Sequence, residues 1–226
     1  MASDIKIKSL FKSTIFRKQI VGISGLAISG FVLLHMTGNC LMFLGPEAYN
    51  VYGHAITSVP TYLPIEIGLA LTFLVHIIGA ILVSLENRKA TPCTAGAMKT
   101  GGEKQARFGS STMIYTGLLV FVFLVLHLIT FRFGTYYEAT YNGLVVRDLH
   151  RLMVEMFNQP LYTGWYLLSM LVLGVHLSHG FSAVFQTLGI AAVNNAKVNR
   201  LGWIFAVVVA GGFIAQPLYA IWAGGR

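Results

Sequence analysis

The sequence predicts an all-α integral membrane protein with five transmembrane helices, forming a single membrane domain over residues 1–226. Three observations predict it. The chain is 55% hydrophobic and only 11% charged, whereas soluble domains carry about 25% charged residues. Five stretches, about 19–44, 63–87, 108–133, 161–190 and 199–222, reach the roughly 20 largely apolar residues that a spanning helix needs. The sequence left between them is too short for a separate soluble catalytic domain.

The elements follow in order. The first 18 residues, MASDIKIKSLFKSTIFRK, are basic and amphipathic, and the apolar run after them is long enough to span, so no cleavable signal peptide is expected. After the first span, GPEAYNVYGHAITSVPTYLP is punctuated by glycine and proline and bounded by Pro60 and Pro64, which reads as a connection. The second and third spans are joined by NRKATPCTAGAMKTGGEKQAR, polar and glycine-rich. The connection after the third span is about 27 residues long, more than a plain loop requires. Within it, Leu144, Val145, Leu149, Leu152, Met153 and Met156 recur at helical spacing, with Arg147, Asp148, Arg151 and Glu155 mostly between them. An interfacial helix over about 143–157, lying on the outer surface of the bundle, is expected.

The net charge of +8 is distributed as a topology signal. Lys6, Lys8, Lys12, Arg17 and Lys18 precede the first span; Arg88, Lys89, Lys99, Lys104 and Arg107 lie between the second and third; Lys197 and Arg200 lie between the fourth and fifth. The other side has only Arg132, Arg147, Arg151 and Arg226. Twelve against four places the N-terminus in the cytoplasm and the C-terminus outside, and makes nucleic acid an unneeded explanation of the basicity. Cys40 and Cys93 are expected on opposite sides of the membrane, and no C-x-x-C-H attachment site for covalent haem is present.

Four histidines each stand alone in an apolar stretch: His35 in GFVLLHMTGN, His76 in LTFLVHIIGA, His127 in VFLVLHLITF and His176 in LVLGVHLSHG. An ionisable side chain inside a membrane helix is costly and so points to function. At about 1.5 Å rise per residue, His35 and His127 lie roughly 10–14 Å below the outer helix ends, and His76 and His176 about 20–22 Å. Two layers of two imidazoles are what two six-coordinate haems require. The first four helices are therefore expected to form a haem-binding bundle, with His35 and His127 on an outer iron and His76 and His176 on an inner one. One intramembrane histidine alone is as readily explained by a hydrogen bond across helices. A proton relay would interleave the histidines with buried acids, yet Glu66 is the only acid well within an expected span.

Each ligand needs Nε2 free for iron, so Nδ1–H should be donated, and a backbone carbonyl one turn earlier is the expected acceptor. Gly22, Gly25, Ser29 and Gly30 on the first span, and Gly164, Gly174 and Gly180 on the fourth, permit either close approach of a porphyrin or ordinary helix packing. His54 and His150 lie in outer connections, where a surface role and a quinone-facing role are both open. His179 follows His176 by about one turn on a similar face, so periodicity does not choose between them. Glu66, Arg132, Arg147, His150, Arg151 and Glu155 fall near the outer pair as candidates for a quinone headgroup site. A topology charge or a haem propionate partner is an equal reading for each.

Taken together, LLHMTGN, EAYNVYGHA, LPIEIGLALTFLVHIIGA, LHLITFRFG and GVHLSHGFSAVFQTLG, in this order and spacing, give the chain a family likeness over nearly its whole length. It resembles the dihaem cytochrome b subunit of succinate:quinone oxidoreductases and quinol:fumarate reductases, the single-chain, five-helix membrane anchor. The resemblance implies two haem b groups with His35 and His127 on the distal iron and His76 and His176 on the proximal one, and the LSHGFSAVF context favours His176 over His179. It implies menaquinone as the quinone. It also implies a flavoprotein with covalent FAD that interconverts succinate and fumarate, and an iron–sulfur subunit on the cytoplasmic face of a bacterial inner membrane. A dimer of heterotrimers is the implied assembly, and this chain would have no dicarboxylate site of its own. Some members place a glutamate just before the fourth-span ligand for transmembrane proton return; here LVLGVHL has Gly174 and no acid, so that path does not carry over. The alternatives are the cytochrome b of another respiratory dehydrogenase, whose ligands are distributed differently among the helices, and a haem-free transporter or anchor.

Overall fold

The computed structural model describes residues 13–90, 101–192 and 195–224, with side chains described throughout except at 89–90 and 101–111. Lys6, Lys8, Lys12, Cys93, Lys99 and Arg226 lie outside the described residues, as do the side chains of Lys89, Lys104 and Arg107. The chain is a multi-pass membrane protein, with five helices long and apolar enough to span among the described residues. These are α1 (Thr14–Asn39, continued by a 3-10 turn, Cys40–Leu44), α3 (Tyr62–Ala90), α4 (Gly101–His127), α6 (Pro160–Thr187) and α7 (Ala196–Gly224). The last turn of α4 widens at Leu128–Arg132, where Phe133 N–H donates to the Leu128 carbonyl five residues back; such π turns recur at functional sites.

The bundle has a packed half and an open half. α6 packs along α7; α1 lies against α3, α6 and α7; and α4 lies against α6, while α3 and α4 barely meet. Small residues set the close approach in the packed half. A Cβ at Gly202 of α7 would lie 2.9 Å from the Ser178 carbonyl of α6, and one at Gly174 would lie 3.2 Å from Ala210. Without a hydrophobic drive between helices in lipid, such contacts carry the association. The apolar windows of α6 and α7 are each 39% buried, whereas those of α3 and α4 are 0% buried, so the core sits at α1, α6 and α7.

One end of the bundle carries a cap, and this end is called the cap side below. The connection after the first span is a helix, α2 (Pro46–Thr57). Pro46 starts it at a position where its missing N–H costs nothing, after Gly45 at φ +104°. The expected interfacial helix over 143–157 is shorter than its periodicity suggested. Leu144–Arg147 is a strand, β2, paired antiparallel with β1 (Glu138–Tyr141), Tyr141 facing Leu144 and Glu138 facing Arg147. Asn142 and Gly143 both have positive φ, 53° and 84°, the requirement of a two-residue type I′ turn. Helix α5 then runs Leu149–Phe157, capped by the Asp148 carboxylate, which accepts from Arg151 N–H at 2.9 Å. Leu152, Met153 and Phe157 face inward, and Arg151 and Glu155 face out.

A buried asparagine ties the cap together. Asn50 of α2 donates to Asp148 Oδ1 at 2.8 Å and to the Tyr141 hydroxyl at 3.2 Å, and its own oxygen accepts from His150 N–H at 2.9 Å. With 1% of its surface exposed, Asn50 meets its needs inside the protein.

Candidate functional site

The four span histidines lie in two groups. His35 sits one turn before the end of α1, and His127 ends α4 where the helix widens. Their ring centres are 5.9 Å apart and their planes perpendicular. Phe31 stacks on His35 at 5.4 Å, Phe123 and Phe131 flank His127 at 5.5 and 5.2 Å, and Phe213 of α7 lies 6.0 Å from His35. The Nδ1 of His127 is buried and has no hydrogen-bond partner among the described residues. Beside His35, the Asn39 amide nitrogen donates to the His35 carbonyl at 2.8 Å and lies 3.4 Å from both ring nitrogens. Asn39 Oδ1 accepts from the Tyr49 hydroxyl of α2 at 2.6 Å. A carbonyl only accepts, so the amide orientation is fixed by its two neighbours.

The second group, on the far side from the cap, is built differently. His76 of α3 turns toward α1: its Nδ1 lies 3.1 Å from the Val21 carbonyl and 3.3 Å from Ser24 Oγ. His176 of α6 turns toward α4, with Nδ1 3.1 Å from Thr116 Oγ1. The two histidines are close enough to interact electrostatically. Each ring is seated on a glycine, since a Cβ at Gly25 would lie 2.9 Å from His76 Cε1 and one at Gly117 would lie 3.2 Å from His176 Cε1. The expected acceptor, a carbonyl one turn earlier on the histidine's own helix, is therefore not the one used. In a bundle this closely packed, the neighbouring helix supplies it. His179 also lies near His176, but its buried Nδ1 has no hydrogen-bond partner among the described residues.

The donors limit what could be held here. Two imidazoles on one metal, at about 2.0–2.1 Å per nitrogen, set their ring centres roughly 6 Å apart, which is the cap-side separation. Among the described residues no group of three or more His, Cys, Asp or Glu could hold a bare ion. A metal between paired imidazoles would thus need further donors of its own, as a haem iron has in its macrocycle. The two glycine seats and the aromatic walls fit such a group, with His35, His127, His76 and His176 to hold it, whereas His127 Nδ1 lacks, among the described residues, the acceptor expected of a ligating histidine.

The structure divides the quinone-site candidates among three places. Glu66 of α3 and Arg132 at the end of α4 form a two-pronged ion pair, 2.6 and 3.1 Å, across the cap-side end of the open seam. Arg147 joins them by donating to the carbonyls of Arg132 and Thr135 at 3.5 and 3.3 Å. Arg151 and Glu155 are elsewhere, on the outer face of α5, where the Arg151 guanidinium lies 4.1 Å over the Tyr137 ring and Tyr137 donates to Glu155 at 2.8 Å. His150 is inside the cap, its ring 6.4 Å from that of Tyr49 and its buried Nε2 without a hydrogen-bond partner among the described residues. Burial lowers the His150 pKa, although Asp148 opposes the shift; burial raises that of Tyr49. His54 lies in the last turn of α2, apart from both pairs.

Ser24, Gly25, Thr116, Gly117, Asn39 and Tyr49 were not singled out by sequence as partners of the histidines. For the first four a signal was present, because a hydroxyl residue followed by glycine precedes a histidine by the same interval in both α1 and α4. Comparison with protein-family models, with curated proteins and with solved structures finds no match to this chain.

Proposed function

We propose that the chain is the membrane-anchor cytochrome b subunit of a succinate:quinone oxidoreductase or quinol:fumarate reductase type of complex. It would carry electrons between menaquinol or menaquinone and an iron–sulfur partner by way of two bis-histidine b haems. The observation that carries the reading is the cap-side pair: two imidazoles from different spans, 5.9 Å apart and perpendicular, inside an aromatic wall. A second pair stands deeper on the other two helices, as the count of two haems needs. When bound, iron between two imidazoles supplies a one-electron carrier with no open position for oxygen or substrate.

The chain's own residues supply the rest. His35, His127, His76 and His176 would hold the two groups through their ring nitrogens. Ser24, Thr116 and the Val21 carbonyl hold the far-side rings. Phe31, Phe123, Phe131 and Phe213 keep water from the cap-side pair. Glu66, Arg132 and Arg147 form a charged rim where the α3–α4 seam meets the cap, open to a quinone arriving from lipid. Dicarboxylate chemistry, FAD and iron–sulfur clusters belong on this reading to partner subunits at the far side, the cytoplasmic one by the positive-inside rule.

The test is haem quantitation and a reduced-minus-oxidised spectrum of the purified protein. Two low-spin b haems per chain are expected, both reducible by a menaquinol analogue. A protein purified from a haem-replete host without haem absorbance would overturn the reading and leave a haem-free anchor or transporter in its place.

A further inference from the structure

We infer that Ser24 and Thr116 are positioning residues that fix the tautomer and rotation of the two far-side histidines, within a unit that the chain uses twice. The Ser24 hydroxyl lies 2.8 Å from the Ile20 carbonyl and 3.1 Å from that of Val21, and the Thr116 hydroxyl 3.1 Å from the carbonyls of Thr112 and Met113. A hydroxyl has one hydrogen, and carbonyls only accept. With its hydrogen given to its own helix, each hydroxyl keeps only acceptor lone pairs for the imidazole beside it. In that arrangement His76 and His176 carry their hydrogen on Nδ1, at 3.3 and 3.1 Å from these oxygens. For His76 the Val21 carbonyl, 3.1 Å from the same nitrogen, demands the same tautomer independently. Nε2 is left with the free lone pair in both rings.

The residue after each hydroxyl is the glycine on which the ring rests, Gly25 or Gly117. The hydroxyl sets the tautomer and the glycine sets the distance, so together they form a seat for the next helix's histidine. Each seat also stands in a fixed relation to a cap-side histidine on its own helix. Ser24 precedes His35, and Thr116 precedes His127, by eleven residues in both cases. Eleven residues are close to three helical turns, so seat and ligand share a face about 16 Å apart. Thus α1 and α4 each carry a [Ser/Thr]-Gly-x9-His unit that presents one imidazole in the cap-side layer and receives another in the far-side layer. Two copies of this unit define the two-layer site.

The inference rests on the haem reading, and its test separates the two. Ser24→Ala and Thr116→Val are made in the full-length holoprotein, with Ser24→Thr and Thr116→Ser as conservative controls. The readouts are the low-spin EPR g-maximum and midpoint potential of each haem, the far-side signal being identified by its loss in His76→Ala. Ser24→Ala and Thr116→Val are expected to shift the far-side signal and leave the cap-side signal in place, while the hydroxyl-keeping variants retain wild-type values. Two haems in the wild type with a far-side signal indifferent to both hydroxyl losses would overturn the inference and leave the haem reading standing. A shift confined to the cap-side signal would also overturn it. A wild type without haem removes both.

Discussion

The two histidine pairs sit in one bundle but are held by different parts of it. The far-side rings are fixed by helix against helix, with His76 on the Ser24–Gly25 seat of α1 and His176 on the Thr116–Gly117 seat of α4. On the cap side His35 is also tied to structure outside the spans: it meets Asn39 at the end of α1, Asn39 is held by Tyr49 of α2, and Tyr49 adjoins His150 of α5. Among the described residues His127 Nδ1 has no hydrogen-bond partner. The difference teaches that the far-side pair is organised by the fold of the spans themselves. Of the cap-side pair, His35 is linked to the cap through Asn39 and Tyr49, and is the ring that changes in the cap would reach.

The sharpest way to break this comparison is to fill a seat. Gly25→Leu or Gly117→Leu is expected to lower haem content from two per chain to one, with the surviving haem giving the cap-side spectrum; retention of both would remove the glycine seats from the account. On the cap side, Tyr49→Phe removes the hydrogen bond to the half-buried Asn39 oxygen, a loss of about 1 kcal/mol. A lower denaturant midpoint, with the far-side haem spectrum unchanged, is the expected outcome.

A smaller effect comes from pH. Burial lowers the folded pKa of His150, whereas an unfolded histidine titrates near 6.5. The unfolded chain therefore binds this proton first as pH falls. The stability that neutral His150 contributes is fully present above about pH 6.5 and is lost as pH drops from there toward its lowered folded value. Unfolding midpoints measured from pH 8 to pH 5 should fall on acidification, and His150→Gln should flatten that fall. The smallest expected effect is at the seam rim. Glu66 and Arg132 have side chains 30% and 43% exposed, so Arg132→Gln should cost no more than about 1 kcal/mol. Raising the salt concentration should erase most of the difference from wild type.

Much of the architecture was legible in the residues, and the failures have identifiable causes. Runs of 20 or more apolar residues marked all five spans, because length and hydropathy are one-dimensional properties of the chain. The hairpin at Glu138–Arg147 was missed because Leu144 and Val145 fit a helical spacing as well as a strand. The local signal, Asn142–Gly143 followed by the capping Asp148, outranks that spacing. Helix α2 was hidden by its flanking glycine and prolines, although Pro46 marks its start. The histidine layers could be counted along the helices, but the residues that hold each ring belong to neighbouring helices. Which helix neighbours which is a tertiary fact, so Ser24 and Thr116 came into view only with the packing, although their identical interval to His35 and His127 was in the sequence throughout.

The central claim is the pairing itself, and four single variants test it directly. His35→Ala, His127→Ala, His76→Ala and His176→Ala are each purified, and their haems are resolved by EPR and redox titration. The account requires that His35→Ala and His127→Ala lose one and the same haem, and that His76→Ala and His176→Ala lose the other. Loss of a common haem from His35→Ala and His76→Ala would contradict it.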